Sequence, residues 1–251
     1  MLRTFRLAHY RVTLIPEGMI FMPAFNKGSI LRGAFGTSLR KLVCAVDRSI
    51  SCDSCILKDR CAYTLIFNPI GINPAKRLQN VPRGYVLKPP LEKETEYSSS
   101  TPLMFEMVLI GDRINYFPYV IVTIIELGKV GTGLNRGRFT MSDIGIIKNG
   151  VSESIYDPES NTVKNIHKII TGSELLECTG KIDRHRITLN FLTPTRIKYN
   201  PTGEKGRSEV VRVPEFHHII RRLRDRINAL SVTYCGSPIS VDFKGTAERA
   251  M

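Results

Sequence analysis

No run of about 18 or more apolar residues occurs in the chain, so the sequence offers nothing for a membrane-spanning helix. The opening stretch, MLRTFRLAHYRVTLIP, lacks an apolar signal core and a small-residue cleavage site, so a cytoplasmic setting is expected. Thiols stay reduced there, and clustered cysteines more often bind metal than pair up. Carboxylates are scarce: 23 Asp and Glu face 36 Lys and Arg, giving a formal net charge of +13. That imbalance favours a polyanionic partner, nucleic acid before an anionic membrane surface, against the plainer alternative of a merely basic exterior. The glycine-rich segment 128–138 has no Gly-Lys-Ser/Thr ending, which excludes a P-loop. Neither basic helix described below is preceded by a second helix and a short turn, which argues against a DNA-binding regulator.

What is present centres on residues 28–67. Leu31, Phe35, Leu39 and Leu42 recur at near-helical steps, widened by Ile30, Ala34 and Val43, and predict a helix capped by Ser29. Arg32, Arg40 and Lys41 fall off that stripe. Gly33 and Gly36 cost the helix about 1 kcal/mol each relative to Ala, which predicts that something large approaches its backbone. Cys44, Cys52, Cys55 and Cys61 follow with the spacing C-x7-C-x2-C-x5-C. The tight pair suits two corners of a tetrahedral site and the outer two can close it. The readings are a structural zinc or an iron–sulfur site, against four buried thiols or two disulfides. A closed four-thiolate site leaves no open position for substrate, so such a metal would be a staple.

Along the chain, residues 3–14 alternate as a strand, 15–27 form a loop, and 85–90 and 102–111 read as two more strands. Residues 116–128 predict a buried helix with Pro118 in its first turn and Gly128 as its stop. A strand follows over 138–147. In the loop between them, glycines alternate with Lys129, Arg136 and Arg138, a pattern that lets a backbone approach phosphate or simply turns the chain. Strand–helix–strand–strand–helix–strand is the split βαβ, or ferredoxin-like, unit, with the cysteines inserted after its first helix. Residues 148–185 predict a hairpin on Asp157-Pro158 and short strands at 166–170 and 175–182, with His167 and His185 on or near strands. Residues 186–199 predict a strand bent at Pro194, 200–209 a basic loop, 214–235 a helix, and 238–247 a last strand. In that helix, Phe216, Ile219, Ile220, Leu223, Ile227 and Leu230 form a stripe, and Arg221, Arg222, Arg224 and Arg226 load the remainder. The chain is thus expected to be α+β, with tandem ferredoxin-like domains over 1–147 and 186–251, the second incomplete, joined by a β-rich connection over 148–185.

The strings GSILRGAFGTSLRKLVC, C-x2-C-x5-CAYTLIF, FLTPTRIKY and EFHHIIRRLRDRINALSVTYCG, in this order over about residues 3–247, resemble the CRISPR-associated endoribonucleases that process precursor guide RNA. These belong to the RAMP superfamily, and the likeness is to its cysteine-bearing branch. The resemblance implies repeat RNA held at the cleft between two ferredoxin-like domains, and membership of a CRISPR effector complex as a further partnership. It implies metal-independent cleavage, in which the ribose 2′-OH attacks the adjacent phosphate to leave a 2′,3′-cyclic phosphate and a 5′-OH. No cofactor is implied for catalysis, and zinc on Cys44, Cys52, Cys55 and Cys61 would be structural. The family's closing glycine-rich loop has no match before Met251, and no histidine lies between His9 and His167. His217, in a matching string, is the nominal catalytic residue, with Lys41 and Tyr63 contributing. Arg32, Arg40, Arg136 and Arg138, and Lys41 with them, are the expected RNA contacts. The alternative is a non-catalytic RNA-binding subunit of the same superfamily.

Overall fold

A computed structural model of the chain describes residues 2–70, 81–164, 168–181, 186–200, 204 and 207–248. The expected positions of His167 and His185, and parts of the 166–170, 175–182 and 200–209 segments, lie outside the described residues.

Strand β1 (Arg6–Pro16) buries Ala8, Tyr10, Val12 and Leu14 and turns Leu7, His9, Arg11 and Thr13 to the other face. Strand β2 (Ile20–Phe21) and helix α1 (Lys27–Val43) follow, then helix α2 (Ala62–Ile66) behind the cysteines. Next come β3 (Tyr85–Lys88), β4 (Glu96–Tyr97), β5 (Leu103–Ile110), α3 (Phe117–Val130), β6 (Phe139–Lys148) and β7 (Val151–Ser154). The main sheet runs β3-β5-β1-β6-β7 and is antiparallel throughout, with Tyr10 opposite Met107 on one side and Ile146 on the other. Over residues 6–148 both the order of elements and the pairing are those of a split βαβ unit. Helices α1 and α3 bury their apolar stripes against one face. Tyr10, Phe35, Leu39, Met107, Ile124 and Ile146 are core members, and Tyr10 stacks on Phe117 at 4.0 Å between centroids.

The opposite face carries a polar knot. Glu106 accepts hydrogen bonds from His9 Nε2 at 2.8 Å, from Arg11 Nη2 at 3.1 Å, and from Lys88. Burial pushes the Glu106 carboxyl up, but these three donors more than offset it and hold it at about 2.

Several boundaries differ from the sequence expectation. Helix α1 begins two residues before Ser29, after Asn26 in a left-handed conformation (φ 68°). The Ser29 hydroxyl donates to Asn26 Oδ1 at 2.7 Å and does not cap the helix. The expected close approach occurs at Gly36, where a Cβ would lie 2.1 Å from Phe67 Cζ; around Gly33 nothing lies within 4 Å. Helix α3 runs past Gly128 and ends at Gly131 (φ 89°). Gly128 instead lets the helix press on β6, because a Cβ there would meet the Phe139 carbonyl oxygen at 2.4 Å.

The 148–185 region contains β8 (Tyr156–Asp157) and β9 (Thr162–Val163), the hairpin expected on Asp157-Pro158. Strand β10 (Ile170–Thr171) pairs with β1, so this segment also contributes to the main sheet. Residues 175–181 of the expected 175–182 strand are not a strand, and residue 182 lies outside the described residues. Thr171 and Glu174 form a capping box that starts helix α4 (Gly172–Glu177), followed by a 3-10 turn at Cys178–Lys181. Of the expected strand at 186–199, Lys198–Tyr199 (β11) pairs with Glu209–Val210 (β12). The expected last strand is in part a helix, α6 (Phe243–Glu248), because the Asp242 carboxylate accepts from Gly245 N–H at 2.9 Å and supplies its start.

Helix α5 (Phe216–Cys235) docks its C-terminal half on the first unit. Leu230, Tyr234 and Cys235 cluster with Phe5 and Ile110. The Tyr234 hydroxyl donates to the Pro82 carbonyl at 2.6 Å. Arg113 is sandwiched between the rings of Tyr116 (5.1 Å) and Tyr234 (5.0 Å) and donates to the Leu65 carbonyl at 2.8 Å. Gly111 (φ 60°) makes that seat possible, since a Cβ there would lie 1.9 Å from the Tyr234 carbonyl oxygen. The N-terminal half of the expected stripe is not buried: Phe216 and Leu223 are exposed.

Candidate nucleic-acid interface

The docking of α5 opens a cleft of about 790 Å³ between the two parts of the chain. One wall is the start of α1, a second is Val81–Leu91 with Lys93, and the third is Leu192–Pro194 with Arg226 of α5. Lys27, Arg32, Arg83, Lys93 and Arg226 line it; among the described lining residues none is Asp or Glu. The positive end of the α1 dipole adds to the same field. Phe25, 68% exposed, stands on the rim.

Each cation is held differently. Lys27 is buried at 2% exposure, and its amine donates to the Tyr97 hydroxyl at 2.8 Å and to the Glu92 carbonyl oxygen. Burial pulls its pKa down, while Glu92 and Glu94 pull it back up. Arg32 and Arg83 flank one ring: their guanidinium carbons lie 5.6 and 5.8 Å from the Phe67 centroid. Arg83 also donates from Nε to the Phe67 carbonyl at 2.8 Å. Its pKa is lowered first by burial and then by the neighbouring positive charge of Arg32, with Arg226 adding to it.

The cysteines form a second feature. Cys44, Cys52, Cys55 and Cys61 are half-buried free thiols lining one cavity of about 240 Å³, together with Arg40 and Tyr63. Burial pushes the Cys52 thiol up; Arg40 opposes this, and Cys61, Cys44 and Cys55 add to it. Leu57 N–H is already aimed at Cys55 Sγ at 3.4 Å. Four soft sulfurs around one cavity, with a backbone donor on one of them, fit a thiolate-bound metal such as zinc. No three of these sulfurs, however, lie within 4.8 Å of one another, so the donors are of the right type but are not gathered around one point. Among the described residues, Glu215, His217 and His218 are the group that reaches that spacing.

The residues expected from sequence are dispersed. Arg32 lines the cleft, Arg40 lines the cysteine cavity, and Arg136 and Arg138 are exposed and line neither. The glycine-rich loop is docked on β2. Asn135 bonds both Met19 O (2.7 Å) and Phe21 N (3.1 Å), and Cβ atoms on Gly133 and Gly137 would meet the Phe21 and Met19 carbonyls. Its close backbone approach is therefore to another strand. Lys41 is exposed at the end of α1. Tyr63 faces the cysteine cavity, and burial raises its pKa. His217 Nδ1 lies 3.3 Å from Glu215 Oε2 and its ring sits 3.9 Å from that of His218. Among the described residues, no contact joins His217, Lys41 and Tyr63, and none of the three lines the cleft.

The AF_1859_N family model, described as an N-terminal domain, matches residues 5–168, more than half of the chain. The chain belongs to that family. An uncharacterized protein of Archaeoglobus fulgidus is 27% identical to it over 197 residues, which are 78% of this chain and 60% of that protein. This chain thus spans less than two thirds of its relative's length. Among solved structures, a chain of the Cas6 product complex has a TM-score of 0.49 at 16% identity, covering 97% of this chain and 70% of that one. A chain of the Csm3-Csm4 subcomplex of the type III-A CRISPR-Cas interference complex has a TM-score of 0.38 at 16% identity, covering 72% and 98%. Both likenesses are too loose to carry an argument. The matched 5–168 segment of this AF_1859_N chain holds strands β3-β5-β1-β6-β7 of the main sheet, the four clustered cysteines and two of the three cleft walls.

Sequence reasoning missed Lys27, Arg83, Tyr85 and Lys93, and noted Arg226 only as one of four arginines. Of those four, Arg221 donates to the Tyr199 hydroxyl at 3.3 Å, Arg222 to the Lys198 carbonyl at 2.6 Å, and Arg224 to Phe243 O and Asp225. Arg226 is the one that reaches the cleft. Arg83, between Pro82 and Gly84 just before a strand, carried the one legible signal: a cation fixed at an element boundary.

Proposed function

We propose that this chain binds single-stranded RNA in the cleft between α1 and α5. One observation carries the reading: five cations and no carboxylate are found among the described residues lining that cleft, and an exposed aromatic ring, Phe25, stands beside them. A basic groove that tracks phosphates, with a ring on which a base can stack, is the physical requirement for holding a single strand. The sequence resemblance makes CRISPR repeat RNA the substrate class and a CRISPR effector complex the wider partnership. On this reading, residues 186–251 are the counterpart of a second ferredoxin-like unit, and zinc on Cys44, Cys52, Cys55 and Cys61 holds the end of α1 in place. Binding of a labelled repeat transcript, compared with duplex DNA of equal length, tests it. Tighter binding of the RNA is expected; equal or tighter binding of the duplex rejects it.

A second reading, which rests on the sequence resemblance, adds cleavage by 2′-OH attack. The expected result is cyclic-phosphate ends formed with EDTA present and blocked by a 2′-deoxy substitution at the cut. Binding without any cut rejects cleavage and leaves the first reading standing.

A further inference from the structure

Tyr85 poses a physical problem within the cleft. It is 4% exposed, and its hydroxyl is buried beside the Arg32 guanidinium, a donor, with no acceptor for its own proton among the described residues, yet the residue lines the cavity. Leaving such a group unsatisfied costs about 1–3 kcal/mol. Beside it, Arg32, Arg83 and Arg226 share the cavity with no carboxylate among its described lining residues. Repulsion from Arg32 and Arg226 reaches Arg83, and Arg32 also opposes the effect of burial on Tyr85. The cluster is fixed in place: Phe67 lies against Arg32, Arg83 and, at 6.1 Å between centroids, the Tyr85 ring. A neutral donor without an acceptor and three crowded guanidiniums with no counter-charge among the described lining residues lack the same thing, a compact oxyanion.

We infer that Tyr85, Arg32, Arg83 and Arg226 form a seat for one phosphate group of the bound strand. This deepens, and rests on, the RNA-binding reading. The seat takes a phosphate oxygen on the Tyr85 hydroxyl and spreads its charge over the three guanidiniums, bidentately where the fork geometry allows. It reads neither base nor sugar. Its role is to fix the register of the strand against α1, so that the neighbouring base meets Phe25.

Tyr85→Phe is the decisive variant, because it keeps the ring and its packing and removes only the oxygen. Two arms are needed. In the first, pyrophosphate is titrated against the full chain in a thermal melt. In the second, a labelled 12-nucleotide single-stranded RNA is titrated by fluorescence anisotropy. The seat predicts that pyrophosphate raises the Tm of the native chain, and that Tyr85→Phe and Arg226→Gln each remove most of that rise. It also predicts RNA affinity about tenfold weaker in Tyr85→Phe, since a hydrogen bond to a charged group is lost. Without ligand, the Tm of Tyr85→Phe should be unchanged or higher, because a buried hydroxyl with no acceptor has gone; a purely structural tyrosine would give a fall. No pyrophosphate response in the native chain, or an equal response in Tyr85→Phe, overturns the seat even if RNA still binds. A Tyr85-dependent pyrophosphate response without RNA binding keeps the seat and overturns the RNA reading instead.

Discussion

Salt should weaken RNA binding by an amount the cleft itself sets. Five cations line it; Lys27 already spends its amine on Tyr97 and Glu92, which leaves Arg32, Arg83, Lys93 and Arg226 to neutralise phosphates. Each phosphate neutralised on a single strand contributes about −0.7 to the slope of log affinity against log salt, so four give about −2.8. Between 50 and 200 mM salt, affinity should then fall roughly 50-fold. The double variant Arg32→Gln with Arg226→Gln leaves two contacts, a slope of about −1.4 and a fall of roughly 7-fold. Arg11→Gln, on the opposite face of the sheet beside Glu106, is the control and should leave the slope unchanged. Anisotropy titrations at four salt concentrations give the slopes. A native slope shallower than about −1, or a double variant with the native slope, would refute the reasoning.

Acid should destabilise the fold through Glu106. Its folded pKa of about 2 lies below the ordinary 4.5, so its contribution is present above pH 4.5 and is lost as pH falls from there through about 2. Glu106→Gln should lower stability at pH 7 by about 2–3 kcal/mol and flatten the loss in that window, as measured by urea melts at stepped pH. Gly111→Ala should cost more than about 2 kcal/mol, because it combines a positive φ with a clash on the Tyr234 carbonyl. It should weaken RNA binding as well, since Arg226 rides on α5. Chelation of the purified chain should release one zinc and lower the Tm, and Cys52→Ser with Cys55→Ser should do the same. A metal-free chain with an unchanged Tm rejects the metal.

The first half of the fold was legible because its patterns are strong and local. Ala8, Tyr10, Val12 and Leu14 alternate as a half-buried strand must, and Leu31, Phe35 and Leu39 repeat as a helix must. The second half was misread where a short polar signal outweighed the apolar pattern. Thr171 and Glu174 start a helix at residues whose leucines suggested a strand, and Asp242 does the same near the end. The four cysteines grouped by their spacing line one cavity, since a short loop keeps them in the same region. The cleft was not legible in the same way. Residues 24–32 and 81–93 meet through the packing of α1 on β3, and Arg226 joins them because Tyr234 bonds Pro82 and α5 seats on Gly111. No periodicity encodes such a meeting, so arginines picked for lying off a helix stripe or in a glycine-rich loop were spread over separate surfaces.

Where the strand lies is the centre of the account, and photo-crosslinking locates it most directly. RNA carrying 4-thiouridine, irradiated on the native chain and digested, should yield adducts on peptides covering residues 24–32 and 81–93, with Phe25 among the modified residues. Adducts confined to the sheet face around His9, Arg11 and Lys88, or to the loop of Arg136 and Arg138, would contradict it.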